Sequence, residues 1–158
     1  MAVMIGKPNR SQSDVALEQR VRRDLEFLFS EYGATVTANT VESFGISELT
    51  VESDSVELKF TKNNRDADYR ILVAPRKVDG VWELLHVALA ASTGDDAKSL
   101  VVPVYYDDEP TELSYVGLTR VAEIMKPRFA QLERAFAPEN YPATHSRMVE
   151  IERLVHPR

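Results

Sequence analysis

The sequence predicts an α+β domain in which a four-stranded antiparallel meander sheet is covered on one face by helices, in the order α-β-β-β-β-α-α-α. Apolar residues recur at helical spacing before residue 33 and again after residue 80. Between these regions, apolar and polar residues alternate in four short runs separated by turn residues, a pattern typical of antiparallel strands. Because the alternation makes one face of the sheet apolar and the other polar, the helices must cover the apolar face.

The first helix is predicted to begin near Ser13, after an arm at residues 1–12 that we expect to be poorly ordered. Residues 13–158 then form one domain, which suits the length of the chain. Ser11 or Ser13 can cap the helix, and Gly33 can end it because glycine readily adopts the left-handed conformation. The apolar stripe of this helix consists of Leu17, Val21, Leu25, Leu28, Phe29 and Tyr32.

The four strands are predicted near residues 35–39, 48–52, 56–61 and 69–73. Turn residues separate them, including Gly45 and the serines at 53 and 55. Pro75 ends the fourth strand, because proline has no N–H group to donate to a neighbouring strand.

Helices are predicted again after the sheet. The first has an apolar stripe that starts at Val81, with Trp82 beside it, and it ends at Gly94. A longer helical pattern covers residues 113–136, and Pro127 inside it should kink the helix or divide it in two.

Two further segments complete the C-terminal half. The last helix is predicted at residues 144–155, with Thr144 as its cap. Residues 99–106 are rich in β-branched and aromatic side chains, but Pro103 excludes a central strand, so we expect an extended edge or loop segment.

Composition excludes several kinds of chemistry. The chain has no cysteine, which rules out disulfides, thiolate metal sites and cysteine nucleophiles. The three histidines, His86, His145 and His156, have no metal-ligand spacing. Neither a glycine-rich phosphate loop nor the Gly-x-Ser-x-Gly hydrolase elbow occurs. We therefore expect no cofactor and no metal, and no catalytic residue stands out.

The start of the chain has no signal-peptide pattern, and no apolar run approaches the roughly 20 residues of a membrane span. We therefore expect a cytoplasmic protein with no membrane partner. The formal net charge of −6 argues against nucleic acid, because an acidic chain repels phosphate backbones.

Acidic residues are concentrated between residues 79 and 112, and tyrosines lie among and beside them. Such a surface can bind a basic protein, because tyrosine buries much area at a low entropy cost. The alternative is that the acids are solvated loop residues and that the tyrosines pack at the edge of the core. The candidate binding residues are Asp95, Asp96, Tyr105, Tyr106, Asp107, Asp108, Glu109 and Tyr115.

Several segments resemble those of a loosely defined group of small, uncharacterised bacterial α+β proteins. The segments are FLFSEYG at 27–33, FG at 44–45, VES at 51–53, VELKF at 56–60, the Arg65-Asp66 turn, Trp82 as the opening of a helix, and FAPENY at 136–141. The resemblance implies a structural similarity and brings no catalytic residues. Small acidic proteins of this kind often resemble the immunity proteins encoded beside bacterial toxins, so the resemblance implies an immunity-like role.

Three functional hypotheses follow. The leading one is a non-enzymatic protein–protein interaction module that binds a partner through the acidic, tyrosine-bearing surface. The second is a small enzyme or ligand-binding protein whose site assembles from dispersed residues. The third is a self-associating structural subunit, a homodimer in which the open face or the edge of the sheet pairs with another copy, with residues 99–106 as the favoured contact. The candidate residues of the second hypothesis are Asp66, Asp68, Arg70, His86 and Tyr105.

Overall fold

The core of the fold is one antiparallel sheet with the strand order β1-β2-β3-β4-β5, so each strand pairs with the next one along the chain. A computed structural model describes residues 10–41, 45–63, 68–101 and 110–155. The strands are β1 Thr35–Val41, β2 Ile46–Glu52, β3 Val56–Asn63, β4 Asp68–Pro75 and β5 Glu83–Leu84. The predicted α+β class and antiparallel meander are confirmed, and β4 ends at Pro75 as predicted.

The prediction of four strands was wrong, because the sheet has five strands within the described residues. The fifth, β5, consists of two residues that pair with β4, with Leu84 opposite Leu72 and Glu83 opposite Val73. Two residues are too short to show alternation, and Leu84 has helical spacing to the residues that follow. The sequence pattern therefore merged β5 into the helix, which in fact begins at Leu85.

Helices precede and follow the sheet in the chain. They are α1 Arg10–Asp24, α2 Glu26–Ser30, α3 Leu85–Thr93, α4 Pro110–Met125, α5 Phe129–Ala135 and α6 Tyr141–Val155, with 3-10 turns at Ala97–Leu100 and Lys126–Arg128. The first begins at Arg10, three residues before the predicted start at Ser13. It gives way to α2 at Leu25, which has a non-helical backbone (φ −118°) yet stays buried.

Glycine and proline act where the sequence predicts them to act. Gly33 and Gly94 follow helices and have positive φ values of 62° and 86°. Pro127 lies in the 3-10 turn that separates α4 from α5.

Two C-terminal predictions were wrong in detail. Helix α6 begins at Tyr141. Pro142 fits its first turn, because an N–H group at that position would have no partner within the helix and proline lacks one. Thr144 is therefore a buried residue inside the helix and not its cap. Residues 99 and 100 belong to a 3-10 turn instead of an extended segment, and residues 102–106 lie outside the described part of the chain.

Helices cover one face of the sheet, here called the inner face. Its side chains are fully buried at the centre, as at Leu49, Val51, Leu58, Phe60 and Val73. Helix α1 packs against β1 and β2, and α3 and α4 pack against β4. None of the described helices is long and apolar enough to cross a membrane.

A β-bulge in β1 changes which residues face the helices. Val36 lies opposite Val51, but the next pairs are Ala38 with Thr50 and Asn39 with Leu49, so Thr37 is an extra residue. Asn39 thereby comes onto the inner face, where its Nδ2 donates to Glu18 Oε1 of α1 at 2.8 Å.

Candidate functional site

The second face of the sheet, here called the outer face, carries polar and charged side chains. On β3, the buried Leu58 and Phe60 alternate with Glu57 and Lys59, which therefore point outward. The outward side chains of β2 and β3 are partly exposed. Among the described elements, the helices pack on the inner face, so none of these helices covers the outer face.

A row of four residues crosses the outer face at its centre. Lys59 lies opposite Thr50 on one side and opposite Leu72 on the other, and Leu72 in turn lies opposite Leu84 of β5. Trp82 precedes Leu84 by two residues, so the period of a strand brings it to the same face.

Trp82 lies over this row. The Nζ atom of Lys59 is 4.4 Å from the centroid of the Trp82 ring, a cation–π contact. The tryptophan still exposes 37% of its surface, and its neighbour Val81 exposes 51%. The indole of Trp82 is thus an apolar, solvent-accessible surface at the β5 side of the outer face.

Gly80 permits this path of the chain. A Cβ atom at residue 80 would lie 2.4 Å from Cγ of Pro75 and 2.7 Å from the hydroxyl oxygen of Tyr141. Real Cβ contacts are longer than this, so a side chain would force the segment away from the end of β4. The close packing of Gly80 therefore helps to set where Val81 and Trp82 emerge.

An acidic pair occupies the end of the outer face next to the β2–β3 turn. Glu52 and Glu57 lie directly opposite each other on β2 and β3. Burial and the nearby Glu52 carboxylate raise the pKa of Glu57 above its ordinary value, while Arg76 and Lys59 act in the opposite direction. Arg76 is committed to Glu52, with Nε 3.1 Å from Oε1, and its Nη1 donates to the Ser53 carbonyl at 3.0 Å.

Glu133 of α5 holds the adjoining turn in place. One of its carboxylate oxygens accepts a hydrogen bond from the Ser53 hydroxyl, and the other accepts from the backbone N–H of Ser55 at 2.9 Å. Both serines are buried. Lys77 also reaches the turn, with Nζ 3.0 Å from Asp54 Oδ1. The acidic pair therefore flanks a turn that is held in place by contacts with Glu133 and Lys77.

The predicted acidic, tyrosine-bearing surface is only partly visible. Asp95 pairs with Arg128 at 2.8 Å, and the hydrogen bond from Arg128 lowers the pKa of Asp95. Asp96 accepts a hydrogen bond from the backbone N–H of Lys98 at 3.2 Å and caps the 3-10 turn. Both acids thus have structural roles within the chain.

The side chains of the other candidate residues of that surface lie outside the described part of the structure. Tyr105, Tyr106, Asp107, Asp108 and Glu109 lie outside the described residues. Tyr115 lies on α4, and its side chain is outside the described part. Their role in binding stays a prediction.

The dispersed site of the second hypothesis is also only partly described. Arg70 is exposed on β4 opposite Thr61, and His86 lies in the first turn of α3 and is half-buried. Asp68 lies on β4 with its side chain outside the described part, and Asp66 and Tyr105 lie outside it entirely. Neither Arg70 nor His86 lines the groove that the structure forms between α3, α5 and α6.

Sequence reasoning missed the cluster of Lys59, Trp82, Glu52 and Glu57. Alternation correctly placed the two β3 residues on the polar face, but the helical spacing that starts at Val81 assigned Trp82 to a helix. The signal that could have found the cluster is the pairing of β5 with β4, which depends on tertiary structure. Within residues 10–41, 45–63, 68–101 and 110–155, no group of three or more acidic or histidine side chains could hold a metal ion.

Comparison with protein families, with curated proteins and with solved structures finds no match for this chain. The immunity-like resemblance therefore stays a prediction.

Proposed function

We propose that the protein is a non-enzymatic module that binds a basic protein partner on the outer face of its sheet. The observation that carries this proposal is the exposed Trp82, held over Lys59 beside the facing carboxylates of Glu52 and Glu57. This is the protein-binding module of the leading sequence hypothesis, but the proposed contact surface lies on the sheet and not in the acidic loops.

Trp82 supplies the apolar part of the contact. Tryptophan is enriched among the few interface residues that dominate binding energy, because it buries a large rigid surface. The Leu72–Leu84 pair lies on the same face. An apolar side chain of the partner can therefore pack against the exposed indole of Trp82.

Glu52 and Glu57 supply the charge that selects a basic partner. Like charges directly opposite each other on neighbouring strands destabilise a sheet. Burial first, and then the facing carboxylate of Glu52, raise the pKa of Glu57. A lysine or arginine of the partner would relieve the repulsion. The net charge of −6 also favours the approach of a basic protein.

The first test is affinity capture from an extract of the native host, with wild type, Trp82→Ala, Glu57→Lys and Glu150→Lys as baits. Glu150 is exposed on α6, so its reversal is a matched control for charge. A basic protein that is retained by wild type and by the control, and lost by both outer-face variants, supports the proposal. Equal retention by all four baits, or capture of an acidic protein, contradicts it.

The second test uses the purified partner. Trp82 is the only tryptophan of the chain, so its fluorescence reports directly on the outer face. We expect its emission to change saturably as the partner is added. Binding without any change in emission would place the partner elsewhere and overturn the proposal. A complex of two copies of this chain, seen by light scattering without added partner, would instead make a second copy the occupant of the face.

A further inference from the structure

Helices α3, α5 and α6 enclose an open groove of about 430 Å³ that is separate from the outer face of the sheet. This volume is within the range typical of small-molecule sites, roughly 300–1,000 Å³. The groove is lined by Ser92 of α3, by Gln131, Arg134 and Ala135 of α5, by Asn140, and by Ala143, Thr144 and Arg147 of α6.

Arg147 is held in position by the walls of the groove. Its Nε donates to the Ala91 carbonyl of α3 at 2.9 Å, and its Nη2 donates to Thr144 Oγ1 at 3.2 Å. Thr144 is itself fully buried, and its hydroxyl lies 2.8 Å from the Ala135 carbonyl of α5, to which it can donate. An arginine has five N–H groups, so several remain to donate to a ligand. Because the side chain is already fixed, little entropy is lost when it does so.

Arg134 brings a second positive charge to the same groove. It lies in the last turn of α5, and its side chain makes no ion pair with the part of the chain that the structure describes. Arg147 likewise has no carboxylate partner among the described residues, and no carboxylate lines the groove. Two uncompensated arginines in a concave site are unusual for a chain with a net charge of −6.

Amide groups complete the lining. Asn140 is oriented by the hydrogen bond from its Nδ2 to the Arg134 carbonyl at 2.8 Å. The amide of Gln131 lines the groove one helical turn before Arg134. Amide and guanidinium groups together can donate hydrogen bonds to several oxygens of one ligand.

We propose that this groove binds a small phosphate monoester. Such a group carries nearly two negative charges at neutral pH and several acceptor oxygens, so it can engage both guanidinium groups, which match phosphate geometry well. A single carboxylate would leave one of the two arginines without a counter-charge. The groove and the outer face are separate sites, and this inference does not depend on the proposed protein partner.

The test is isothermal titration with phosphoserine as the probe and with serine as its unphosphorylated control, at constant ionic strength. We expect saturable binding of phosphoserine and none of serine. Arg134→Gln should weaken binding roughly tenfold or more, because a charge-assisted hydrogen bond is lost. Arg134 makes no side-chain bond within the described structure, so this variant should fold. Arg147→Lys keeps the charge but loses the fork of donors, and we expect a similar weakening.

Two control variants keep the test specific. Arg120→Gln removes an exposed charge from α4, where Arg120 pairs with Glu123 at 2.8 Å, and it should bind phosphoserine as wild type does. Trp82→Ala should also bind phosphoserine normally, which separates this inference from the protein-binding proposal. Equal binding of serine, equal heats with sulfate, tighter binding of succinate, or wild-type affinity in Arg134→Gln would each overturn the inference.

Discussion

The ammonium nitrogen of Lys59 lies 4.4 Å from the centroid of the Trp82 ring, although Lys59 is on β3 and Trp82 lies just before β5. A cation over the face of an indole is attracted by the negative potential of the ring. The contact holds an exposed aromatic side chain against the outer face, next to the Glu52–Glu57 pair. The Lys59–Trp82 contact therefore helps to set the position of Trp82 on the proposed binding surface.

The Lys59–Trp82 contact predicts how Trp82 responds to quenchers. We expect Lys59→Met to lower quenching by iodide by roughly a factor of two, because the ammonium no longer concentrates the anion near the ring. Quenching by the neutral molecule acrylamide should change little. Lys98→Met is the control, since Lys98 is exposed on the 3-10 turn. Equal loss of iodide quenching in both variants would contradict the contact.

The raised pKa of Glu57 predicts that Glu57→Gln increases the stability of the protein in a pH-dependent way. Its pKa is raised above the ordinary value of 4.5, so the folded state binds the proton more tightly than the unfolded chain. Stability is therefore lost as the pH rises from below 4.5 through the folded-state pKa. We expect Glu57→Gln to be more stable than wild type at pH 7, by at most about 1 kcal/mol because the group is largely solvated.

Denaturation by urea at several pH values checks this prediction. The gain should vanish well below pH 4.5, where Glu57 is protonated in both states. Glu48→Gln is the matched control, because Glu48 lies opposite Thr61 and faces no acid across the strands. The same gain in both variants would indicate a general charge effect. If the outer face binds a basic partner, Glu57→Gln should also weaken that binding while it stabilises the free protein.

The hydrogen bonds that Glu133 accepts predict how much the contact between α5 and the β2–β3 turn contributes to the free energy of unfolding. Glu133→Ala leaves the buried N–H of Ser55 without its acceptor, and we expect a loss of about 2 kcal/mol in the free energy of unfolding. Glu133→Gln keeps one acceptor oxygen and should lose less. Chemical denaturation measures both, with Glu150→Ala as the control on an exposed helical position. A loss below about 0.5 kcal/mol for Glu133→Ala would place it among ordinary surface substitutions and contradict the link.

Gly80 predicts a steric effect on the Trp82 segment. The Cβ of Gly80→Ala would meet the ring of Pro75 and the hydroxyl of Tyr141, so we expect a loss of roughly 1–3 kcal/mol from overpacking. The displacement should also change the quenching of Trp82. Asp79→Ala, at the exposed neighbouring position, is the control and should leave both properties near wild type. Wild-type stability with unchanged quenching in Gly80→Ala would show that the segment is not set by this contact.

Local chemistry made much of the fold predictable. The alternation along β2, β3 and β4 is a property of neighbouring residues, and it correctly identified the buried and exposed faces. Gly33 and Gly94 end helices because of their own backbone freedom, and Pro127 interrupts one because it lacks an N–H group. Each of these effects acts within a few residues, so the sequence displays it directly.

The errors share a different cause. Strand β5 is defined by its pairing with Leu72 and Val73, and the bulge at Thr37 is defined by the register of β1 against β2. Thr144 looked like a helix cap, but the packing of α6 against α3 and α5 buries it. Asp95 is exposed, and its ion pair with Arg128, distant in sequence, is another contact that no local pattern shows.

The sequence by itself thus determined the α+β class, the faces of the main strands, and the interruptions at Gly33, Pro75, Gly94 and Pro127, because periodicity, glycine and proline act locally. Tertiary structure alone decided where the candidate sites lie. Trp82 contacts Lys59 only because β5 pairs with β4, and Arg134 and Arg147 line one groove only because α5 and α6 pack beside α3. Sites of this kind depend on contacts between residues far apart in the chain, and no local pattern encodes those contacts.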